Sequence, residues 1–411
     1  MKTRAVLLTI VLGAAMLPAQ DSETSKAPLT PAQLAMQRAQ AVIDKNSKDY
    51  EAYNALALAL ARRARETSDP ALYTRGEQAL QASFAISPGN YDGKRIEVWL
   101  LLGKHEFAAA LKAAKPLNQR TPDDVMVWGF LTDANVELGN YAAAEDAANW
   151  MLKLRPGNLP ALTRAAYLRE LFGDVEGAED LMKMALDSTP PGEVEDRAWI
   201  TTQLAHLKLA TGKTQAAEEL LQQALAMFPG YHYALGNLAK VRIQQHRYDD
   251  AVSLLQQRYS AGPHAENLYD LASALELAGR NREAAKAFSE FERKSVAESM
   301  QADNSNHELI HYYADRVKDP AKALAVAQRE YSRRHDVFTL ECYAWALHVN
   351  GKNVEAKQVM DAALSVGIQD ARLFRHAGVI AEANGDVAKA RAYSRQALEV
   401  EGFTTTVAAS K

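Results

Sequence analysis

Prolines recur through this chain with a spacing of 34 residues, and no other sequence feature restricts the fold as strongly. They stand at positions 88, 122, 156, 190, 229 and 263, so that only the step from 190 to 229 is longer, by five residues. We assign the five extra residues to the polar loop around Pro190, Pro191 and Gly192. A fixed period of this length predicts a chain built from repeated supersecondary units.

A second set of residues, all small, keeps the same period. A glycine precedes most of them, and His246 takes the place of that glycine in one repeat. A small residue at a fixed position allows two helices to approach to about 8–10 Å. The set comprises Gly76, Ala110, Ala144, Ala178, Ala217, Ala251, Ala285, Ala323, Ala356 and Ala390.

Each period contains the pattern of two helices. In the third repeat, apolar residues recur at helical spacing over 125–138, and Gly139 can adopt the left-handed conformation that ends a helix. A second amphipathic segment over 141–154 is stopped by Pro156. Since no stretch alternates between apolar and polar residues as a strand would, the sequence predicts an all-α solenoid of about ten helix-turn-helix repeats.

The order of large, small and stop positions in the third repeat resembles the tetratricopeptide repeat (TPR) family. It is carried by the segment 127–132, Gly139, Tyr141, Ala144 and Pro156. The resemblance extends from about residue 47 to 402, and it implies a right-handed superhelical solenoid whose concave groove binds a protein or peptide. The segments 60–67, 269–272 and 343–347 are similar to exported bacterial members of this family.

The ends of the chain differ from the repeats. Lys2 and Arg4 precede an apolar run over 5–17, which is shorter than the roughly 20 residues that a membrane span needs. This pattern is typical of a signal peptide, so we expect an exported protein, periplasmic or secreted. The predicted organisation is a signal peptide over 1–19, a polar linker over 20–30, a capping half-repeat over 31–46, repeats 1–7 over 47–292, an irregular junction over 293–306, repeats 8–10 over 307–402 and a flexible tail over 403–411.

Composition narrows the class of partner. The chain has 47 Lys and Arg against 51 Asp and Glu, and this balance argues against nucleic acid as a partner. Cys342 is the only cysteine among 411 residues, which excludes an intramolecular disulfide, and we expect it to be a small buried residue. The expected partner is therefore an unidentified protein or peptide. We expect no integral membrane span after signal removal, and the terminal repeats leave room for self-association.

One motif points to a different function. His307-Glu308-Leu309-Ile310-His311 has the HExxH pattern, in which two histidines one helical turn apart bind zinc and the glutamate acts as general base. A catalytic zinc site also needs a third protein ligand, and no candidate follows at a zinc-peptidase spacing. We therefore favour packing or groove roles for His307 and His311, and expect no metal, cofactor or catalysis. A zinc-dependent hydrolase built on residues 307–311 remains the alternative.

The concave groove is the expected functional surface. Its mixture of aromatic rings and both signs of charge suits a protein or peptide ligand, since aromatic and arginine anchors dominate such interfaces. We therefore predict a non-catalytic protein–protein interaction scaffold of the cell envelope. The candidate binding residues are Tyr167, His206, Lys240, Tyr269, Glu341, Trp345 and Arg375.

Overall fold

The protein is a solenoid of paired helices. The computed structural model describes residues 29–67, 69–300 and 306–400, so the predicted signal peptide and the tail from 403 lie outside the described residues. Within them every regular element is a helix, which confirms the all-α repeat architecture. A capping helix α1 (Pro31–Lys45) precedes the repeats, and Thr30 caps it with its side chain. We call the first helix of each repeat its A helix and the second its B helix.

The A helices have a common length of 13 residues, apart from the longer helices of the first and fifth repeats and a short helix in the eighth repeat. They are α2 (Tyr50–Thr67), α4 (Tyr91–Gly103), α6 (Val125–Glu137), α8 (Leu159–Leu171), α10 (Val194–Ala210), α12 (His232–Gln244), α14 (Ala265–Leu277), α16 (His307–His311), α18 (Val337–Val349) and α20 (Ala371–Ala383).

The B helices alternate with them along the chain. They are α3 (Ala71–Ile86), α5 (Phe107–Arg120), α7 (Tyr141–Leu154), α9 (Val175–Ser188), α11 (Thr214–Met227), α13 (Tyr248–Ala261), α15 (Asn281–Glu298), α17 (Pro320–Tyr331), α19 (Asn353–Leu364) and α21 (Val387–Val400).

Each A helix packs on the B helix of its own repeat, and successive A helices also touch, as α2 does α4 and α18 does α20. The A helices line the inner side of the array. Lys240 on α12, for example, lies within electrostatic reach of Arg372 on α20 across the groove. In the described part of the chain, none of the helices combines the length and the apolar character that crossing a membrane requires.

The predicted small residues lie buried where neighbouring helices pack closely. One member of the predicted set is wrong. Ala144 is fully buried where α7 meets its neighbours. In the seventh repeat the buried residue is Ala284, 1% exposed, whereas the predicted Ala285 is exposed. The turn glycine sets the register: Ala284 follows Gly279 by five residues, as Ala144 follows Gly139.

The turn between A and B helices requires a positive φ, which glycine adopts without a steric penalty. Gly139 has φ 74°, and His246 has φ 58° at the equivalent position, which confirms that this histidine replaces the glycine. His105, with φ 57°, does the same in the second repeat, and the sequence analysis did not recognise it. The positive φ at these turns is therefore kept even where the residue type changes.

The insertion near Pro190 and a second insertion, in the first repeat, lengthen two A helices by about one turn each. The last turn of α2, residues 63–67, extends that helix beyond the usual A-helix length. The five extra residues near Pro190, which were assigned to a loop, instead start α10 one turn early at Val194. The two extra turns meet, because the Arg65 guanidinium binds the carboxylates of Glu195 and Asp196.

This meeting point, which we call the polar contact, joins the first repeat to the fifth and sixth. Glu195 also accepts a hydrogen bond from the Tyr231 hydroxyl at 2.7 Å. His232 Nε2 lies 3.2 Å from the Arg65 carbonyl oxygen, and His232 is buried. The array therefore turns back far enough for residues 130 to 167 positions apart to bind each other.

A second meeting point, the apolar contact, joins the third and fourth repeats to the ninth and tenth. One apolar cluster contains Leu171 of α8 together with Val337 of α18 and Ile368. The backbone nitrogen of Val337 donates to the Tyr141 hydroxyl at 2.9 Å, and the His335 nitrogen donates to the Glu137 carbonyl at 2.9 Å.

The turns approach each other closely at this contact. A Cβ atom on Gly173 would lie 2.7 Å from the carbonyl oxygen of Gly367, a distance that real Cβ atoms do not show. Both glycines also have positive φ angles, 82° and 108°. Because a side chain at either position would separate the backbones, the two glycines allow the superhelix to close on itself.

The eighth repeat is the least regular. Its A helix α16 has five residues and continues as a π-helix, Tyr312–Val317. Asn306 and Lys318, both in the left-handed conformation, bound this unit. The predicted junction over 293–306 begins later than expected, since α15 continues to Glu298. Single-turn π-helical segments occur frequently at functional sites, which directs attention to this repeat.

Candidate functional site

The predicted groove residues differ in how strongly neighbouring side chains already bind them. Tyr167 on α8 is 37% exposed. His206 on α10 is already paired, since its Nε2 lies 2.7 Å from Glu170 Oε1 on α8. Tyr269 on α14 packs against Phe288 and Phe291, with ring centroids 5.6 Å and 5.0 Å away. Tyr167 is thus open to a ligand, whereas Tyr269 mainly supports the core.

Lys240 is the groove residue that the structure leaves most available. Its side chain is exposed on the inner face of α12, and no hydrogen bond or ion pair joins it to another residue of the described part of the chain. Desolvation by the surrounding groove walls lowers its pKa, although Asp270 opposes this effect. Arg375 on α20, which is also exposed, lies two repeats beyond the irregular A helix.

Carboxylates lie on the two A helices that follow α12, and one of them, Asp270, acts electrostatically on Lys240. Glu266 and Asp270 lie on α14, and Glu308 lies on α16 in the next repeat. Burial, and then repulsion from Glu266, raise the pKa of Glu308. Burial also raises the pKa of Glu266. The inner face therefore presents a cation and an acidic group within adjacent repeats.

Glu341 belongs to a buried cluster with His311 and Cys342. Cys342 Sγ lies 3.4 Å from His311 Nε2 and 3.4 Å from Glu341 Oε2. The third side of this triangle, from His311 Nε2 to Glu341 Oε2, is 3.6 Å. All three residues are buried, and their donor atoms are close enough together to share one metal ion. We call these three residues the central cluster.

Three further side chains surround the central cluster. Asp315 Oδ2 lies 3.6 Å from His311 Nδ1, and its other oxygen accepts a hydrogen bond of 2.9 Å from Trp345 Nε1. His376 Nδ1 binds Glu341 Oε1, and the His376 ring stacks on Trp345 with centroids 3.8 Å apart. Trp345 is thus not a free ligand anchor: it holds Asp315 and His376 in place.

The protonation states of the central cluster follow from its neighbours. Burial alone would lower the pKa of His311, but Cys342, Glu341 and Asp315 together raise it well above its usual value. Burial opposes ionisation of Glu341, yet His311 and His376 hold its pKa well below the usual range. Burial, followed by the charge of Glu341, raises the pKa of Cys342 to about 12.

These values bear on whether the cysteine is a nucleophile. Cys342, His311 and Asp315 stand in the order of a thiol, a base and an orienting carboxylate. A catalytic cysteine, however, needs a lowered pKa and access to substrate. Cys342 is 1% exposed and its pKa is raised, so the geometry favours a buried polar or metal-binding role.

The HExxH motif is divided between two environments. His311 joins the central cluster, whereas His307 Nε2 contacts the Thr339 hydroxyl at 3.1 Å. Neither group of possible ligands found in the described residues includes His307. The paired-histidine arrangement that the motif requires is therefore not assembled, because the two rings are drawn to different neighbours.

Sequence reasoning missed His376 and misjudged Cys342. The cysteine is small and buried as expected, but it also belongs to a polar cluster. One signal was present: Cys342 and His376 are 34 residues apart, so they occupy the same position on successive A helices. The A helices of neighbouring repeats touch, as α18 and α20 do, and this spacing brings the two side chains to one side of Glu341.

Comparison with known families identifies the repeats. Tetratricopeptide repeat models match residues 208–275 and, as two overlapping units, residues 97–158 and 131–193. The chain therefore contains tetratricopeptide repeats. No curated protein sequence is similar enough to this TPR chain to be matched to it.

Solved structures share its fold. The human IFIT1 dimer with m7Gppp-AAAA is 15% identical, with 89% of this TPR chain and 85% of the IFIT1 chain covered at a TM-score of 0.51. A monomeric IFIT1 mutant with Gppp-AAAA is 14% identical, with 90% of both chains covered at a TM-score of 0.50. At such low identity the likeness concerns the TPR architecture alone.

Proposed function

We propose that this TPR protein is a non-catalytic scaffold of the cell envelope that binds a segment of a partner protein along its inner groove. The proposal rests on Lys240, an exposed cation of the inner face that the groove walls partly desolvate and that forms no ion pair with a described residue, although Asp270 acts on it electrostatically. A desolvated charge without a partner costs free energy, which a ligand carboxylate at this position would recover. The partner segment is therefore expected to carry an acidic group that meets Lys240.

The acidic residues on the next two A helices indicate which second side chain the ligand should carry. Glu266 and Glu308 would repel a second carboxylate and attract a lysine or arginine side chain, whereas Asp270 is already bound by Arg258. The same residues disfavour a polyphosphate or RNA backbone, which needs clustered cations. A peptide with an acidic and a basic side chain a few residues apart meets both requirements. The envelope location is supported by the charged and apolar pattern of residues 1–19.

Selection from a library of random dodecapeptides tests the proposal. Enriched peptides are titrated against the unaltered chain, Lys240→Gln and the matched control Lys112→Gln, which changes an exposed lysine on B helix α5. We expect Lys240→Gln to weaken binding by about tenfold, corresponding to about 1.4 kcal/mol, and Lys112→Gln to leave it unchanged. If no peptide is enriched, if both variants bind equally, or if a 5′-triphosphate oligonucleotide binds more tightly than any peptide, the proposal is wrong.

A further inference from the structure

We propose that His311, Glu341 and Cys342 bind a single zinc-type ion beneath the inner face of repeats 8 and 9. The three side chains bring together an imidazole nitrogen, a carboxylate oxygen and a sulfur, which are the donor types that zinc accepts in proteins. All three are buried, and they come from two helices in adjacent repeats.

The distances between the donor atoms fit a tetrahedral ion. Zinc binds sulfur at about 2.3 Å and nitrogen or oxygen at about 2.0–2.2 Å, so ligand atoms at tetrahedral angles are about 3.3–3.6 Å apart. In this structure the three separations are 3.4, 3.4 and 3.6 Å. An ion can therefore enter the triangle without moving the helices, and one position remains for a fourth ligand.

The residues around the triangle match the outer shell of a metal site. A histidine that binds metal usually directs its second ring nitrogen to a carboxylate, which fixes the ring and its tautomer. His311 does so towards Asp315, and Asp315 is held in turn by Trp345. The free oxygen of Glu341 is bound by His376, whose ring stacks on the same tryptophan. Each of these two ligands is thus positioned by a separate partner.

Metal binding also explains why the buried thiol of Cys342 has polar neighbours. A buried thiol in an apolar core needs no polar neighbours, yet Cys342 faces a histidine and a carboxylate at hydrogen-bonding distance. On binding, the ion takes the place of the thiol proton, which is released to solvent, and a thiolate–metal bond forms. The simpler alternative is a hydrogen-bonded ion pair between His311 and Glu341 that never binds metal.

Cobalt spectroscopy on the unaltered full chain distinguishes the two. The protein is stripped with a chelator under a reductant that does not bind metal, and is then reloaded with Zn²⁺ or Co²⁺, with Mg²⁺ as a control. We expect one zinc per chain and, with cobalt, the near-ultraviolet absorption of a thiolate–cobalt bond. Because Cys342 is the only cysteine in 411 residues, that absorption reports this residue alone and needs no mutant.

Variants then locate the site. Cys342→Ser should abolish the thiolate absorption, and His376→Ala should lower zinc affinity by about 10- to 100-fold, as outer-shell changes do. His307→Gln is the matched control, since this histidine belongs to the same motif but lies outside the cluster. If the unaltered chain retains no stoichiometric zinc, or its cobalt complex lacks the thiolate absorption, the proposal is wrong. Loss of metal on His307→Gln would instead assign it to the HExxH pair. These outcomes are independent of the peptide titration, which concerns Lys240.

Discussion

The polar contact and the apolar contact join successive turns of the same superhelix, but they are built in opposite ways. The polar contact depends on charged side chains in two extra helical turns, with Arg65 on one and Glu195 and Asp196 on the other. The apolar contact uses residues at ordinary repeat positions, such as Leu171 and Val337, and needs no insertion. A regular repeat can thus bury apolar surface against a later turn, whereas a specific ion pair required a local break in the period.

Removal of a large side chain from the apolar contact should have the greatest effect. Leu171 is 1% exposed, and Leu171→Ala leaves a cavity whose walls cannot fully collapse. We expect a loss of about 2–5 kcal/mol in the free energy of unfolding, measured by urea denaturation. The control Leu398→Ala, at a side chain 47% exposed on α21, should change it by less than about 0.5 kcal/mol. Equal effects of the two would show that this cluster does not hold the turns together.

Removal of the arginine should have a smaller effect that depends on salt. Arg65→Ala leaves Glu195, 7% exposed, with the Tyr231 hydroxyl but without its cation. We expect a loss of about 1–3 kcal/mol in urea denaturation, because a buried acceptor loses a charged partner. This loss should be smaller in 0.5 M salt than in 0.05 M salt, because salt screens the attraction between Arg65 and the two carboxylates. The loss from Leu171→Ala should not depend on the salt concentration.

The control for this experiment is Arg155→Ala, which changes an exposed arginine at the end of α7. It should leave stability within about 0.5 kcal/mol of the unaltered chain. A salt-independent loss on Arg65→Ala would mean that packing of the arginine stem, rather than its charge, joins the two turns.

Lowering the pH should also weaken the polar contact, by less than Arg65→Ala does. Burial lowers the pKa of His232 to about 4, with further lowering by Arg258 and His264 and an opposing effect of the Arg65 carbonyl. Because an unfolded histidine takes up its proton near pH 6.5 and the folded one near 4, stability is lost as the pH falls through this interval. Melting temperatures at pH 7, 6 and 5 should therefore decrease.

His232→Gln identifies the group responsible. The amide can still donate to the Arg65 carbonyl but does not titrate, so the decrease between pH 7 and 5 should become smaller. His246→Asn, at an exposed turn position that tolerates a positive φ, should keep the full decrease. An unchanged pH dependence in His232→Gln would assign the acid sensitivity to another group.

The repeat architecture could be predicted from the sequence because its signals are local. The proline period, the turn glycines and the small residues each act within about 34 residues, and even the replacement of glycine by His246 is recognisable. The single register error, Ala285 in place of Ala284, arose in a repeat that offers adjacent alanines at this position. Spacing from Gly279 distinguishes them, as in the other repeats.

The contacts between turns and the central cluster could not be predicted in this way. Arg65 and Glu195 are 130 residues apart, and their meeting depends on the pitch of the whole superhelix, to which every repeat contributes. Similarly, the HExxH pattern implies that His307 and His311 share one helical face. Thr339 and Cys342 of the next repeat decide where those rings lie, and the local motif contains no information about either.

The meeting of the two extra turns has an evolutionary consequence. The extra turn of each lengthened helix carries charges opposite to those on the other, so a descendant that shortened α2 would leave the acidic side chains of α10 without their cation. Homologues should therefore carry both insertions or neither, and an alignment in which one length varies freely while the other stays constant would show that each was acquired for its own reason.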